Sequence, residues 1–387
     1  MGRKGITICL LVLLAGLVVA PLLGNGVAHA RGLEEAIAAA PKGVEKGMIN
    51  DQAKPGFLGI PGAPNPNLVI GFLWAIWVGW IFSTVGAFGG IMAGVGHITV
   101  FGLADYGKAF KKTAPALNKM ITDSIRVSNQ YLVGLAAAVS SFNYYKMGRL
   151  VLPLGLALAV GSIAGSYLVP IITAGKISMK AYLGYFGLIV FIIGGFLFYE
   201  TTPKGQAGKK EAKAAAKAFE ESHIKKGDSV TVEESGVKVH NWSLSKVTFS
   251  FYGVEFSFKP IIPIIGGFFI AALASFLGIG GGFLFVPFLT SIAGLPMFLV
   301  AGTSALTVLV GMIISILTYM VMKGVPVYWP LIGAELLGIF VGAMIGPRTS
   351  KYIPDIWLKR LFVVLALYVG LRYTTKGFLG YSIVPPF

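Results

Sequence analysis

Cysteine is almost missing from this chain of 387 residues: Cys9 stands alone. That excludes a disulfide framework and a cysteine-rich metal site. Cys9 also opens an apolar run instead of closing one, which is the wrong place for a lipid-attachment cysteine. Charge is scarce as well. Charged residues make up 12% of the chain, against roughly 25% in a soluble domain. Acidic residues are the rarer sign, 16 against 32 lysines and arginines, for a net charge of +16. The excess does not point to nucleic acid, because no basic face with interleaved stacking aromatics is present. The basic residues sit in loops and at the ends of apolar runs, where orientation-setting and headgroup charges belong. No metal-ligand cluster, Walker-type phosphate loop or nucleophile–base arrangement appears. The expectation is therefore no enzyme activity, no ATP hydrolysis, no metal and no cofactor.

What the chain has is apolar length. Hydrophobic residues account for 55% of it and glycine for 52 positions, which suits helices that pack closely or break inside a membrane. Arg3 and Lys4, the apolar run Ile6 to Val19 and the Ala28-His29-Ala30 triplet form a signal-like start. Residues 1–30 are read as a signal peptide cleaved before Arg31, with an uncleaved first span as the rival. Residues 31–67, with five prolines and one short helix near Glu34–Ala40, read as an extracytoplasmic tail. Apolar segments follow at 68–101, 125–145, 150–172 and 181–199, then again at 261–293, 299–322, 328–346 and 357–374. A single span needs about 20 apolar residues, so the first segment of each set is too long for one simple span.

The two sets match in order. Ser83-Thr-Val-Gly86-Ala-Phe-Gly89-Gly90 lines up with Ser275-Phe-Leu-Gly278-Ile-Gly-Gly281-Gly282. Further on, Pro153-Leu154, Ala157, Gly161 and Gly165 line up with Pro330-Leu331, Ala334, Gly338 and Gly342. The fold expected is an all-α integral membrane protein of two homologous halves, 68–200 and 260–376, with a short tail at 377–387. Each half has about four hydrophobic segments and a broken or re-entrant glycine-rich helix. A re-entrant hairpin gives inverted halves and a continuous broken helix gives parallel ones; the inverted arrangement is the reading taken. Between them, 201–259 reads as a solvated Lys/Ala/Glu helix over Lys204–Lys226 followed by a small β-rich module. Its strands are expected at Ser229-Val-Thr-Val, Val237-Lys-Val, Lys246-Val-Thr-Phe-Ser-Phe and Val254-Glu-Phe-Ser-Phe. Ten lysines against seven acids put that insert on the cytoplasmic side, where it can dock a protein partner.

The chemistry concentrates at Gly278-Ile-Gly280-Gly281-Gly282-Phe-Leu-Phe-Val-Pro287. Consecutive glycines break a helix, and in hydrocarbon the freed N–H groups need a partner from the protein or from a ligand. A half-helix starting near Gly282 presents a positive dipole end suited to an anion. The competing account is close helix packing or a simple kink. Thr303 and Ser304 open the next span and either cap it or donate to an oxyanion. In the first half, Gly89 and Gly90 occupy the glycine position, and Asp123-Ser124-Ile-Arg126-Val-Ser128-Asn129-Gln130 corresponds to the hydroxyl element. Arg126 could hold an anion with Ser128, Asn129 and Gln130, could be neutralised by Asp123, or could snorkel to headgroups. Glu335 and Asp123 are candidates for proton coupling, with an interhelical hydrogen bond as the alternative for Glu335. His97 reads as a satisfied core histidine.

The G-x-G-G-G-x-x-x-V-P-x-L run at Gly278–Leu289, followed by Ala301-Gly302-Thr303-Ser304, resembles the sulfite exporter TauE/SafE family over about 68–375. The first half departs from that pattern at Ala87-Phe88 and at Gly94-Val95-Gly96-His97. The resemblance implies secondary transport of sulfite, a sulfonate or a related sulfur anion across a cell inner membrane, with a proton or cation as coupling partner. The rival functions are a passive anion channel and a membrane scaffold for a sulfur-metabolising enzyme.

Overall fold

The structure is a computed structural model and describes residues 26–85, 89–206, 236–291, 294–349, 352–353 and 355–385. The positively charged start and apolar run expected as a signal lie outside these residues. So do Gly86-Ala87-Phe88, the strand expected at Ser229–Val232 and most of the charged helix expected at Lys204–Lys226.

The chain enters through helix α1 (Gly26–Ala38) and a loop that packs instead of trailing: Ile49, Phe57 and Ile60 are fully buried. Phe57 meets Tyr328 edge to face at 5.6 Å. Asn67 then starts α2 (Leu68–Val85) by accepting the Val69 N–H at 2.9 Å with its side-chain oxygen. Next come α3 (Gly89–Val95), extended by a π-helical turn over Gly96–Val100, and short α4 (Leu103–Ala109). Helix α5 (Pro115–Lys146) starts with proline in its first turn, where the missing N–H costs nothing. It begins ten residues before the apolar segment expected at 125, because the polar residues Asn118, Thr122, Asp123 and Ser124 that precede that segment are buried inside the protein. Helices α6 (Leu152–Thr173), α7 (Met179–Thr201) and short α8 (Pro203–Gln206) complete the first half.

The insert holds strands β1 (Lys238–Trp242), β2 (Val247–Phe251) and β3 (Val254–Phe258), an antiparallel meander in sequence order. Tyr252 and Gly253 both take positive φ (49° and 78°), the conformation of a tight two-residue hairpin turn. Val247, Phe249 and Phe251 alternate inward and are buried. The sheet is tied to the α5–α6 loop by Val237 N–H donating to Gly148 O at 2.9 Å. After it come α9 (Ile261–Leu277), α10 (Gly282–Ser291), α11 (Met297–Leu317) with a π-helical turn over Thr318–Met322, α12 (Trp329–Thr349) and α13 (Asp355–Phe378). Among the described residues, five stretches are long and apolar enough to cross a membrane: Leu152–Thr173, Met179–Tyr199, Leu299–Met322, Trp329–Thr349 and Arg360–Phe378.

Both overlong apolar segments fold back on themselves. The Trp74 indole N–H of α2 reaches Met92 O of α3 at 3.0 Å, and Gly89 lies against Val78 and Phe82. Likewise Gly281 lies against Ala274 and Ile270, and Phe288 of α10 against Gly266 of α9. The two hairpin tips touch, with Gly90 on the carbonyl of Ile279 and Val133 of α5 against both Gly90 and Gly280. Helix α5 is the hub and is buried along most of its length.

Backbone contact without side chains joins the outer pairs. Gly161 and Gly165 of α6 bring their Cα atoms onto the carbonyls of Ile264 and Phe268 in α9, while Gly338 and Gly342 of α12 do the same to Phe72 and Ile76 in α2. Small residues at such positions replace a hydrophobic driving force that lipid cannot supply. A Cβ at Gly342 would overlap the Ile76 carbonyl, whereas exposed Gly333 in the same helix has nothing within 4 Å. Gly342→Ala is therefore expected to cost about 1–3 kcal/mol, and Gly333→Ala to be neutral or to add up to about 1 kcal/mol. Thermal unfolding of the two detergent-solubilised variants checks this; equal midpoints would mean that α2 and α12 do not meet at Gly342.

Candidate functional site

The second helix break has two ends with opposite needs. Gly278, Gly280 and Gly281 adopt φ of 72°, 78° and 64°, the left-handed region that glycine enters without strain. Helix α9 therefore ends with carbonyls facing the interior. Ser275 O accepts from Arg126 Nη2 at 3.1 Å, and Leu277 O accepts from the Tyr182 hydroxyl at 2.8 Å. Helix α10 begins with the N–H groups that any helix start leaves without an intrahelical partner. Its approach is walled by Val133 and Val308 at Gly280 and by Ala274 and Ile270 at Gly281.

Of the three readings left open for Arg126, snorkelling is removed by its complete burial. The guanidinium holds Asp123 Oδ1 at 2.8 Å through Nη1, and Nη2 also donates to Thr173 Oγ1 at 3.1 Å. Its carbon lies 4.9 Å from the Tyr319 ring centroid. Asp123 uses its other oxygen to accept the Gly175 N–H at 2.6 Å. Arg126 is thus a neutralised cation at the carbonyl end of a broken helix, where the dipole favours positive charge.

Gln130 is the unusual neighbour. It lies four residues after Arg126 and three before Val133, and residues so spaced share a helix face. Arg126 and Val133 both touch the glycine break, so Gln130 faces it between them. Gln130 is fully buried, and neither its Oε1 nor its Nε2 has a hydrogen-bond partner among the described residues. The hydroxyls of Ser124 and Ser128 on the same helix are buried and unpartnered too. Buried polar groups are normally paired, so Gln130 is a place where a ligand or water would find unmet partners; Ser124 and Ser128, six and two residues before it, lie on other faces of α5.

Asn129, the residue before Gln130, joins an ionisable pair that the sequence did not reveal. His97, in the π-helical turn after α3, places Nε2 3.1 Å from Glu335 Oε2 of α12 and Nδ1 2.5 Å from Asn129 Oδ1 of α5. All three residues are fully buried. With an oxygen facing Nδ1, that nitrogen carries a hydrogen, so the contact to Glu335 needs one proton between Nε2 and Oε2. Glu335 Oε1 has no partner among the described residues. No local signal could have joined residues 238 positions apart, and a lone histidine in an apolar stretch reads as core.

The remaining expected residues have other neighbours. Thr303 Oγ1 accepts the Val151 N–H at 3.2 Å and so caps the start of α6, while Ser304 Oγ reaches Ala301 O at 3.4 Å. Gly89 and Gly90 make the first hairpin tip described above. On the face bearing residues 31–67, a cavity of about 380 Å³ lined by Lys119, Asp123, Gly175 and Lys323 leads towards the Asp123–Arg126 pair. No group of three or more metal-binding side chains occurs among the described residues.

A family model described as sulfite exporter TauE/SafE matches residues 70–373. No curated protein and no solved structure matches the chain.

The buried ion pair sets a test of its own. Asp123→Ala leaves the Arg126 guanidinium charged and uncompensated, and is expected to destabilise the protein by about 3–5 kcal/mol. Asp123→Leu combined with Arg126→Met removes both charges and should lose less, although Ser275 O then lacks its donor. Unfolding free energies of the two variants check the order; a double variant worse than Asp123→Ala would show that the guanidinium is not held by Asp123.

Proposed function

Because the chain belongs to the sulfite exporter TauE/SafE family, whose members are membrane transporters and not enzymes, we propose that it is a secondary transporter of sulfite or a closely related sulfur anion. It works by alternating access across a cell inner membrane. The observation that carries this reading is Gln130, buried and unpartnered on the face of α5 that meets the glycine break. The anion sits between the Gln130 amide and the N–H groups of Gly280, Gly281 and Gly282, at and just before the start of α10. Arg126 and Asp123 flank the path from the Lys119–Lys323 cavity. An oxyanion is the natural occupant, since amide hydrogens converge on it without an uncompensated buried cation.

Alternating access follows from an inverted repeat. Support comes from the reciprocal packing of α2 on α12 and α9 on α6, in which Phe72 and Ile76 occupy the positions of Ile264 and Phe268 in the aligned motifs. A two-fold relation generates such pairs. A hairpin returns the chain to the side it came from, and three crossings, α5, α6 and α7, then carry it to the other side. The second half thus starts from the opposite face, which is the condition for inverted halves. The lysine-rich insert marks its face as cytoplasmic, so residues 31–67 and the C-terminus are outside.

Coupling falls to the His97–Glu335 proton. Removing it leaves a net negative charge at a site closed to water, so the proton's release is tied to a change in packing between α3 and α12.

Three outcomes are expected in proteoliposomes given sulfite, sulfate, thiosulfate and simple sulfonates. Sulfite or a sulfonate should show saturable flux. Gln130→Leu removes two unpartnered polar atoms, so folded stability should hold or rise while sulfite affinity falls by about 1–3 kcal/mol. Loss of stability with unchanged affinity would make Gln130 structural. Glu335→Gln should abolish stimulation by a pH gradient while leaving equilibrium binding within a few-fold, on the order of the 1 kcal/mol of one hydrogen bond. Undiminished gradient stimulation would remove Glu335 from the coupling step.

A further inference from the structure

The insert forms a second cavity, on the opposite face from the Lys119–Lys323 opening. Strand β3 runs straight into α9 through Lys259 and Pro260, and its register pairs Phe258 with Val247. Lys246 and Lys259, each next to one member of that pair, therefore flank the same end of the strand pair. Between them and the helix ends lies a cavity of about 450 Å³ whose walls include Leu154 of α6, Phe258, Ile262 and Phe288 of α10. The rim is cationic and the floor is apolar. Neither lysine has an ion-pair partner among the described residues.

Two neighbouring features fix the kind of occupant. Ile261, Ile262, Ile265 and Phe269 are exposed on α9, 56%, 44%, 51% and 61% respectively. This is the lipid-facing surface of a membrane helix, and it continues into the cavity floor through Ile262. Trp242 and Leu244, in and just after β1, are 59% and 95% exposed. Tryptophan beside lysine at the end of a span is the chemistry of the headgroup layer. A soluble anion would use the lysines but would leave the floor and the exposed Trp242–Leu244 corner without a partner. A zwitterionic headgroup would bring its own cation to two lysines that already lack a counter-charge.

We propose that this cavity binds an anionic phospholipid of the leaflet on the insert side. Its phosphate lies between Lys246 and Lys259, and an acyl chain runs over Ile262 and Phe288, while Trp242 and Leu244 enter the headgroup layer. Basic pockets at helix ends recognise anionic headgroups in this way. Phe288 belongs to the helix that begins at Gly282, so the lipid packs directly on the second hairpin. The insert then keeps that hairpin in contact with the membrane surface. This inference does not depend on the transport reading, because it concerns binding alone.

The test uses the full-length protein, delipidated in detergent, and phosphatidylglycerol labelled on an acyl chain. Lys246→Ala should weaken binding about fivefold and Lys246→Ala with Lys259→Ala about thirtyfold. Arginine at both positions should restore it, and Lys119→Ala with Lys323→Ala on the far face should leave it unchanged. The alanine variants are compared only where size-exclusion profile and unfolding midpoint match the parent; where they do not, the arginine pair against Lys246→Gln with Lys259→Gln makes the same comparison. Unchanged affinity in the double alanine or double glutamine variant overturns the proposal. So does equal competition by phosphatidylcholine. Displacement by inorganic phosphate as effective as by unlabelled phosphatidylglycerol overturns it in favour of a soluble-anion site.

Discussion

A backbone that stops being helical at membrane depth must find its hydrogen-bond partners inside the protein, and most of this architecture answers that demand. Helix α9 ends at Gly278 with carbonyls of Ser275 and Leu277 turned inward, and they take hydrogens from Arg126 and Tyr182. Helix α2 ends near the other tip, and there Ser83 O takes the Tyr144 hydroxyl at 2.6 Å. Each donor is anchored by α5 or α7, so those helices have to be central and partly polar. Arg126 in turn requires Asp123, and Asp123 holds the Gly175 N–H that ends α6. One glycine break thus accounts for a buried ion pair, a buried polar helix and the register of the loop beyond it.

On the proposed repeat, the two halves perform the same tasks with different chemistry. A guanidinium serves one hairpin end and a phenol the other. Glu335 stands three residues before Gly338, while the matching position before Gly161 is Leu158. The proton-holding pair therefore exists once, on the first hairpin's side, and the second hairpin's side carries the Arg126–Asp123 pair instead. A symmetric backbone makes two mirror-related packings possible; unlike residues at equivalent positions make their free energies respond to different ligands. A carrier needs both properties, since perfect symmetry would leave direction to the gradients alone.

The sequence made the frame legible because its signals were local. Gly253 between two alternating runs marked the β2–β3 turn, the two apolar sets marked the two groups of helices, and the glycine run marked the helix break. Helix α5 starts ten residues before the apolar segment read at 125, because hydropathy does not register the polar residues Asn118, Thr122, Asp123 and Ser124, which are buried inside the protein. The fate of Arg126 needed the position of Ser275, 149 residues away. Thr303 carried the right residue type for a ligand hydroxyl, yet its oxygen faces the Val151 N–H. His97 was invisible for the same reason, since both of its partners come from other helices. Long-range pairing between spans leaves no periodicity to read.

The unpartnered groups on α5 bear on which state this conformation represents. Each buried polar atom without a partner costs about 1–3 kcal/mol, and Gln130 alone contributes two such atoms. That cost is borne by the packing around it: the glycine-to-carbonyl contacts of the outer helix pairs and the apolar walls of Val133 and Val308. If Gln130 were structural, leucine there would be the more stable solution at no loss. A buried polar residue kept unsatisfied on the helix face that meets the glycine break fits the proposed binding site before its ligand arrives. On the proposed function, α5 already holds the Gln130 amide in place, and an anion would supply the acceptor that its N–H groups lack.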